Sequence, residues 1–202
     1  MKNIIIILDP AHGLDVAGKR SPDGKHRECI WSREREASLK KKLVEKGYEV
    51  YYTTDSINEP GLSKRRIAAN TIKHGQRKLL LSLHNDASGV TMEWRKAHGA
   101  SVYTTKGVTN SDICADIIYK GLAKDFKGEV KMRKYTDKYL GRDFEQNFTV
   151  LMGSDYMGVL IEWLFQDNKE DVEKLKDPVI NGRFEDSLVE SIENINNYFK
   201  DE

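Results

Sequence analysis

The chain has 202 residues, enough for one domain with a sizeable core, and 39% of them are apolar against 32% charged, which excludes a disordered polymer. Thirty-three basic residues against 32 acidic ones leave a net charge of +1, so the chain lacks the global basic field of a nucleic-acid binder. Two cysteines, Cys29 and Cys114, are too few for a disulfide framework or a thiolate metal knuckle and read as core thiols. Residues 3–8 form a continuous, β-branched run and read as a buried strand. That run is far too short to span a bilayer, and Asp9-Pro10 closes it without a small-residue cleavage site, so neither membrane insertion nor an export signal is expected. A loop, GLDVAGKRSPDGK at 13–25, follows it. Residues 29–46 read as a charged helix carrying Ala37, Leu39, Leu43 and Val44, with Gly47 as its stop. Residues 48–53 are a second strand, 62–74 a second helix, 78–83 a third strand and 100–104 a fourth. Residues 110–126 make a third helix, capped by Asn110 or Ser111, with Ile113, Ile117, Leu122 and Phe126 inward. The stretch 129–150 is polar, aromatic and irregular, an insertion of the kind that forms binding surfaces. A strand at 159–164 and a helix from about 184 to 199 complete the pattern. The four prolines, at 10, 22, 60 and 178, fall where turns or loops are expected. This alternation predicts a single α/β domain over 1–202, with a mostly parallel central sheet and helices on both faces.

Three of these strands end alike. The first runs IIIILDPAHG and releases His12 just past its end; the third runs KLLLSLHND and releases His84 at the same point; the late strand, VLIEWLF, carries Glu162 near its end. In an open parallel sheet the C-terminal strand ends share one edge, where ligands bind. His12, His84 and Glu162 are therefore expected in one crevice although 72 and 78 residues separate them. A lone histidine at a strand end is more often a hydrogen-bonded loop residue, but two at equivalent ends point to a metal. A catalytic zinc takes three protein ligands, and His, His and a carboxylate is one known set. Glu28, opening the first helix after the 13–27 loop, is the best third ligand, with His26 as competitor. A glutamate at a helix start by itself only favours the dipole. Glu162, a carboxylate in an apolar strand, must be paired or functional. Its surroundings suit a general base of raised pKa, and its spacing to the histidines excludes the HExxH class. His74 and His98 are assigned no role, and Lys40-Lys41-Lys42 reads as a solvated helix face.

With these residues in view, the chain resembles the zinc-dependent N-acetylmuramoyl-L-alanine amidases of the Amidase_3 type. The matching pieces, in the family's order, are LDPAHG at 8–13, Glu28, KGYEVYYTT at 46–54, LSKRRIAAN at 62–70, LSLHNDA at 81–87, HGASVYT at 98–104 and VLIEWLFQDNKED at 159–171. The resemblance implies a sheet of about six strands and hydrolysis of the amide between N-acetylmuramic acid and L-alanine of peptidoglycan. It makes His12, Glu28 and His84 the ligands of one zinc ion per chain and Glu162 the catalytic glutamate. It matches Arg66 and Asn70 to an R-x-x-x-N pattern supporting the site. Asn85 joins them as a candidate substrate contact, and Arg142, with Tyr135 and Tyr139, is a candidate contact for the stem peptide or sugar. Three features depart from the family: Ala11 replaces the usual glycine of DPGHG, Asp86 stands where asparagine is usual, and the loop before Glu28 is longer. The GKRSPDG loop resembles a subgroup found in phage endolysins and gut-bacterial amidases. With no wall-binding repeats in the sequence, the expectation is a monomeric phage lysin, made in the cytoplasm and acting on the wall, over a cropped bacterial autolysin. The expected partner is peptidoglycan or a muropeptide, with no nucleic acid. A zinc peptidase cutting within the stem peptide and a non-catalytic wall-glycopeptide binding domain are the alternatives.

Overall fold

Four consecutive isoleucines in the first strand place β-branched side chains on both faces of a sheet, and all seven residues of β1 (Ile4–Pro10) are buried. The computed structural model describes residues 2–72, 75–134, 143–153 and 155–200. Around β1 it builds a six-stranded sheet in the order β2-β1-β3-β6-β4-β5. Strands β2 (Val50–Tyr52), β3 (Arg77–Asp86) and β6 (Met157–Phe165) join β1 in parallel. Strand β4 (Ser101–Thr104) runs antiparallel to β6, and the two-residue β5 (Phe144–Glu145) pairs with β4. This is the expected α/β sheet. Because β4 is reversed, the segment between β3 and β4 leaves and re-enters the sheet at the same edge. Asp167 and Asp171 fasten that segment's two ends, accepting from the backbone amides of Ser88 (2.8 Å) and Gly99 (2.9 Å).

Period-two alternation sends successive strand residues to opposite faces. Ile4, Ile6 and Leu8 meet α1 (Glu28–Glu45), α3 (Asn110–Asp125) and α5 (Pro178–Tyr198) in the larger core, with Trp163 stacked on Phe184. Ile7, Leu80 and Leu160 face α2 (Leu62–Thr71) and the 148–156 segment in a smaller one. Both cysteines are buried and unpaired, as expected. No helix among the described residues is long and apolar enough to cross a membrane.

Some boundaries differ from expectation for local reasons. Helix α2 stops at Thr71, where the buried Lys78 ammonium of β3 binds the carbonyls of Ala69, Asn70 and Ile72. Ile72 ends it in an extended conformation, and the last two residues of its expected range, Lys73 and His74, lie outside the described residues. Helix α3 is capped by Thr109, one residue before the expected caps, in a reciprocal capping box with Asp112. An unexpected helix, α4 (Lys169–Lys176), starts at the Asn168 cap. Pro178 is not a loop residue: it opens α5 behind the Asp177 cap, so that helix begins about two turns earlier than its apolar spacing suggested.

Candidate active site

His12 follows the end of β1 with a left-handed backbone (φ 48°), a conformation costly for a residue with a Cβ. Two guanidinium groups hold it there: Arg33 and Arg65 both donate to the His12 carbonyl, at 2.9 and 3.2 Å. The next residue must be glycine, because a Cβ on Gly13 would lie 2.0 Å from the Glu59 backbone nitrogen. His84 and Glu162 are direct register partners across β3 and β6. Just beyond them the ladder slips between His84 and Asp86, and Leu164 takes φ 64°. This is a bulge of the kind that re-aims side chains beside active sites.

Glu28 completes the group from the first turn of α1. Its buried Oε1 lies 2.9 Å from His84 Nδ1 and 3.4 Å from His12 Nε2. The two imidazole rings meet edge to face at 4.9 Å. The strand ends and the helix start thus converge as the sequence led one to expect. His26, the competitor, is buried behind the group with Nε2 2.8 Å from Asn85 Oδ1.

The three donors fit a single divalent cation. Their ligand atoms all lie within 4.8 Å of one another. Tetrahedral bonds of about 2.0–2.1 Å require ligand separations of roughly 3.3 Å, close to the 2.9 and 3.4 Å found around Glu28. The His84 tautomer also fits. Ser82 Oγ donates to Asp9 Oδ2 (2.7 Å) and so accepts from His84 Nε2–H (3.1 Å); a bound cation would displace the proton that Nδ1 shares with Glu28 and take the Nδ1 lone pair. Asp9 is committed too, accepting from Thr53, Arg65 and Ser82.

Electrostatics separates the two glutamates. Burial alone would raise the Glu28 pKa, but hydrogen bonds and charge from His12 and His84 outweigh it, and the carboxylate is held well below its ordinary range. Burial lowers His12, with only partial opposition from Glu28. At His84 burial also acts to lower the pKa, yet the Glu28 hydrogen bond and nearby carboxylates raise it overall. Glu162 is pushed up to about 8, by burial first and by Glu28 and Asp86 next, against the charges of His84 and Lys19. Its Oε2 is buried without a hydrogen-bond partner among the described residues. Glu162 lines a cavity of about 170 Å³ together with His12, His84, Lys19, Arg65 and Phe148. A larger cleft of about 540 Å³, beside Lys25, Trp31 and Lys176, includes none of the His–Glu–His group.

Several supporting roles differ from expectation. Arg65, not Arg66, is the arginine under the site: it is buried and binds Asp9, Glu59 and the carbonyls of Pro10 and His12. Arg66 and Asn70 are half-buried on α2 and do not line the cavity. Asn85, the expected substrate contact, is held inside the protein rather than lining the cavity. It is buried, with Oδ1 taken by His26 and Nδ2 donating to the carbonyls of His84 and Trp163. Arg142, Tyr135 and Tyr139 lie outside the described residues. Asp86, at the family's asparagine position, pairs with Arg133 at 2.6 Å, and that guanidinium stacks on Phe165.

Two groups escaped sequence reading. Gln166 donates from Nε2 to Glu28 Oε2 (2.9 Å) and to the Asn85 carbonyl (3.2 Å); both neighbours are acceptors, which fixes the orientation of the amide. Glu36, on α1 eight residues beyond Glu28, is fully buried with neither oxygen in hydrogen-bond geometry. Burial, then the Asp9 carboxylate, push its carboxyl well above the ordinary range, opposed by Arg33, Arg65 and the Leu83 backbone amide.

A divalent-cation donor set faced by a high-pKa carboxyl at a sheet edge is the equipment of a metal-assisted hydrolase. The chain belongs to the N-acetylmuramoyl-L-alanine amidase family, whose Amidase_3 profile matches residues 6–194. Among curated proteins it is 25% identical over 193 residues to the "Probable cell wall amidase LytH" of Staphylococcus epidermidis, an alignment covering 95% of this chain and 58% of that protein. Among solved structures, it superposes on an N-acetylmuramoyl-L-alanine amidase from Clostridium difficile 630 with a TM-score of 0.80, 20% identity and coverage of 96% and 97% of the two chains. The catalytic domain of CwlV from Bacillus (Paenibacillus) polymyxa gives a TM-score of 0.77 at 19% identity, covering 96% and 97%. At these identities the structural likenesses establish the shared fold.

Proposed function

We propose that the protein hydrolyses the amide joining the lactyl group of N-acetylmuramic acid to L-alanine in peptidoglycan, as a single catalytic domain with one zinc ion held by His12, Glu28 and His84. The observation that carries this reading is the placement of Glu162. Glu162 lines one cavity with both histidines, carries a buried oxygen with no hydrogen-bond partner among the described residues, and has its pKa raised to about 8, which suits a group that must take and return a proton near neutrality. When bound, zinc supplies the Lewis acidity that polarises the scissile carbonyl and acidifies water. Glu162 takes a proton from the attacking water and returns it to the alanine nitrogen as the C–N bond breaks. The products are a muramic acid carboxyl group and a stem peptide with a free amino terminus. Glu28, fixed by Gln166 and the Asn85 backbone amide, and His84, fixed by Ser82, hold their donor atoms without rearrangement. Delivery as a phage lysin belongs to the same proposal and rests on the GKRSPDG loop.

Mass spectrometry of purified sacculi, digested with and without a chelator, tests the reading. Free stem peptides beginning at L-alanine, absent with chelator, are expected. Fragments cut inside the stem peptide would replace the substrate assignment with that of a peptidase, and intact sacculi would refute turnover. Glu162→Ala is expected to keep bound zinc and lose turnover, whereas His84→Ala loses both.

A further inference from the structure

We propose that Lys19 is a further catalytic residue of this site, its ammonium binding the oxygen that becomes negatively charged when the amide carbonyl is attacked. This rests on the amidase reading above.

Lys19 belongs to the loop between β1 and α1, and its backbone is tied to the residue that anchors the site: the Glu28 amide donates to the Lys19 carbonyl at 3.2 Å. A bridge between Arg20 and Arg27 closes the same loop. Lys19 is half-buried and lines the small cavity together with His12, His84 and Glu162. Arg65 lines the same cavity, but its guanidinium is consumed by Asp9, Glu59 and two backbone carbonyls. Two neighbouring acids are committed, Asp9 to Thr53, Arg65 and Ser82, and Glu28 to His84, Asn85 and Gln166, and Asp15 Oδ1 accepts from the Glu59 amide; Glu162, which lines the same cavity, makes no hydrogen bond to Lys19. The Lys19 ammonium has no ion pair or hydrogen bond among the described residues, although its charge is felt at both His12 and Glu162. A cation with no hydrogen-bonded partner among the described residues, beside the cavity that His12, His84 and Glu162 share, is what a developing oxyanion requires. Attack of water on the carbonyl carbon moves the C=O π-electron pair onto oxygen, and collapse returns it as the C–N bond breaks, so the charge exists only around the transition state. A preorganised donor aimed there is worth about 10²–10³ in kcat. A solvated lysine on a loop would contribute nothing.

The test compares the zinc-loaded 202-residue chain as wild type, Lys19→Met and Lys19→Arg on a defined disaccharide-tripeptide. Lys19→Met is expected to lose about 10²-fold in kcat with KM within about twofold, and Lys19→Arg to recover part of it. Zinc content and melting temperature are expected to match wild type. A phosphinate isostere of the lactyl–alanine amide, titrated calorimetrically, is expected to bind Lys19→Met at least tenfold more weakly. Unchanged kcat and unchanged phosphinate affinity would overturn the proposal. A raised KM with kcat retained would overturn it in favour of a ground-state contact with a stem-peptide carboxylate. An inactive wild type would instead refute the amidase reading itself.

Discussion

Gln166 offers a direct test of how the site is held. In Gln166→Leu the side-chain volume is nearly kept, but Glu28 Oε2 loses its 2.9 Å donor and the Asn85 carbonyl its 3.2 Å one. Glu28 is only 1% exposed, so water cannot replace the lost bond. A hydrogen bond to a charged group is worth about 1.5–3 kcal/mol, and a chain of this size shifts its Tm by about 2–4 °C per kcal/mol, so a fall of roughly 3–12 °C is expected for the metal-free protein. Glu28 would also be free to swing towards the histidines, and loss of such an outer hydrogen bond costs about 10–100-fold in metal affinity. Differential scanning fluorimetry and zinc titration against a chromophoric chelator measure the two effects. A variant with wild-type Tm and wild-type zinc affinity would refute the claim that Gln166 holds Glu28 in place.

Three further outcomes are expected. Glu36 has a folded pKa well above its unfolded one, so the native state retains a proton that the unfolded state releases. Its contribution is complete below pH ~4.3 and is lost as pH rises towards the folded pKa, at up to about 1.4 kcal/mol per pH unit. Glu36→Gln removes this, so urea melts of wild type and variant are expected to diverge between pH 5 and 8, with the variant the more stable; parallel curves would refute it. Gly13→Ala drives a Cβ into the Asn58–Glu59 backbone and is expected to cost about 1–3 kcal/mol or more in thermal melts, with reduced zinc stoichiometry. Arg65→Lys leaves Asp9 and Glu59 imperfectly paired and is expected to cost about 3–5 kcal/mol by urea denaturation, while Arg66→Lys changes stability by no more than about 0.5 kcal/mol.

The strand-end residues were legible because a parallel sheet turns position along a strand into position in space. His12, His84 and Glu162 needed only that rule, and Glu28 needed a helix start beside the same edge. The errors arose where rotation about an element mattered. Asn85 neighbours His84 on a strand, so it must face the opposite side, where His26 and the Trp163 carbonyl receive it. Arg65 and Arg66 differ by about 100° around α2, and the usable signal was Ala69, four residues from Arg65 and buried on its face. Gln166 lies beyond the bulge at Leu164, and sequence periodicity does not register an extra residue in a strand. Helix α4 escaped notice because only Val172 and Leu175 supply its apolar side, too few to define a period. The two residues of β5 fall below the length at which alternation can be read at all.

The reversal of β4 has a consequence for how the protein can diversify. A parallel strand there would require a crossover along the full height of the sheet, and changing that connection would disturb the core. Here residues 87–99 form a cassette with both ends at the catalytic rim, clipped by Asp167 and Asp171 and carrying the exposed Val90 and Met92 outward. A segment of different length or chemistry could be spliced between Ser88 and Gly99, redrawing the surface at that edge of the sheet while the geometry at His12, Glu28 and His84 stays as it is. In this architecture the His–Glu–His group and the surface segment beside it are separable parts.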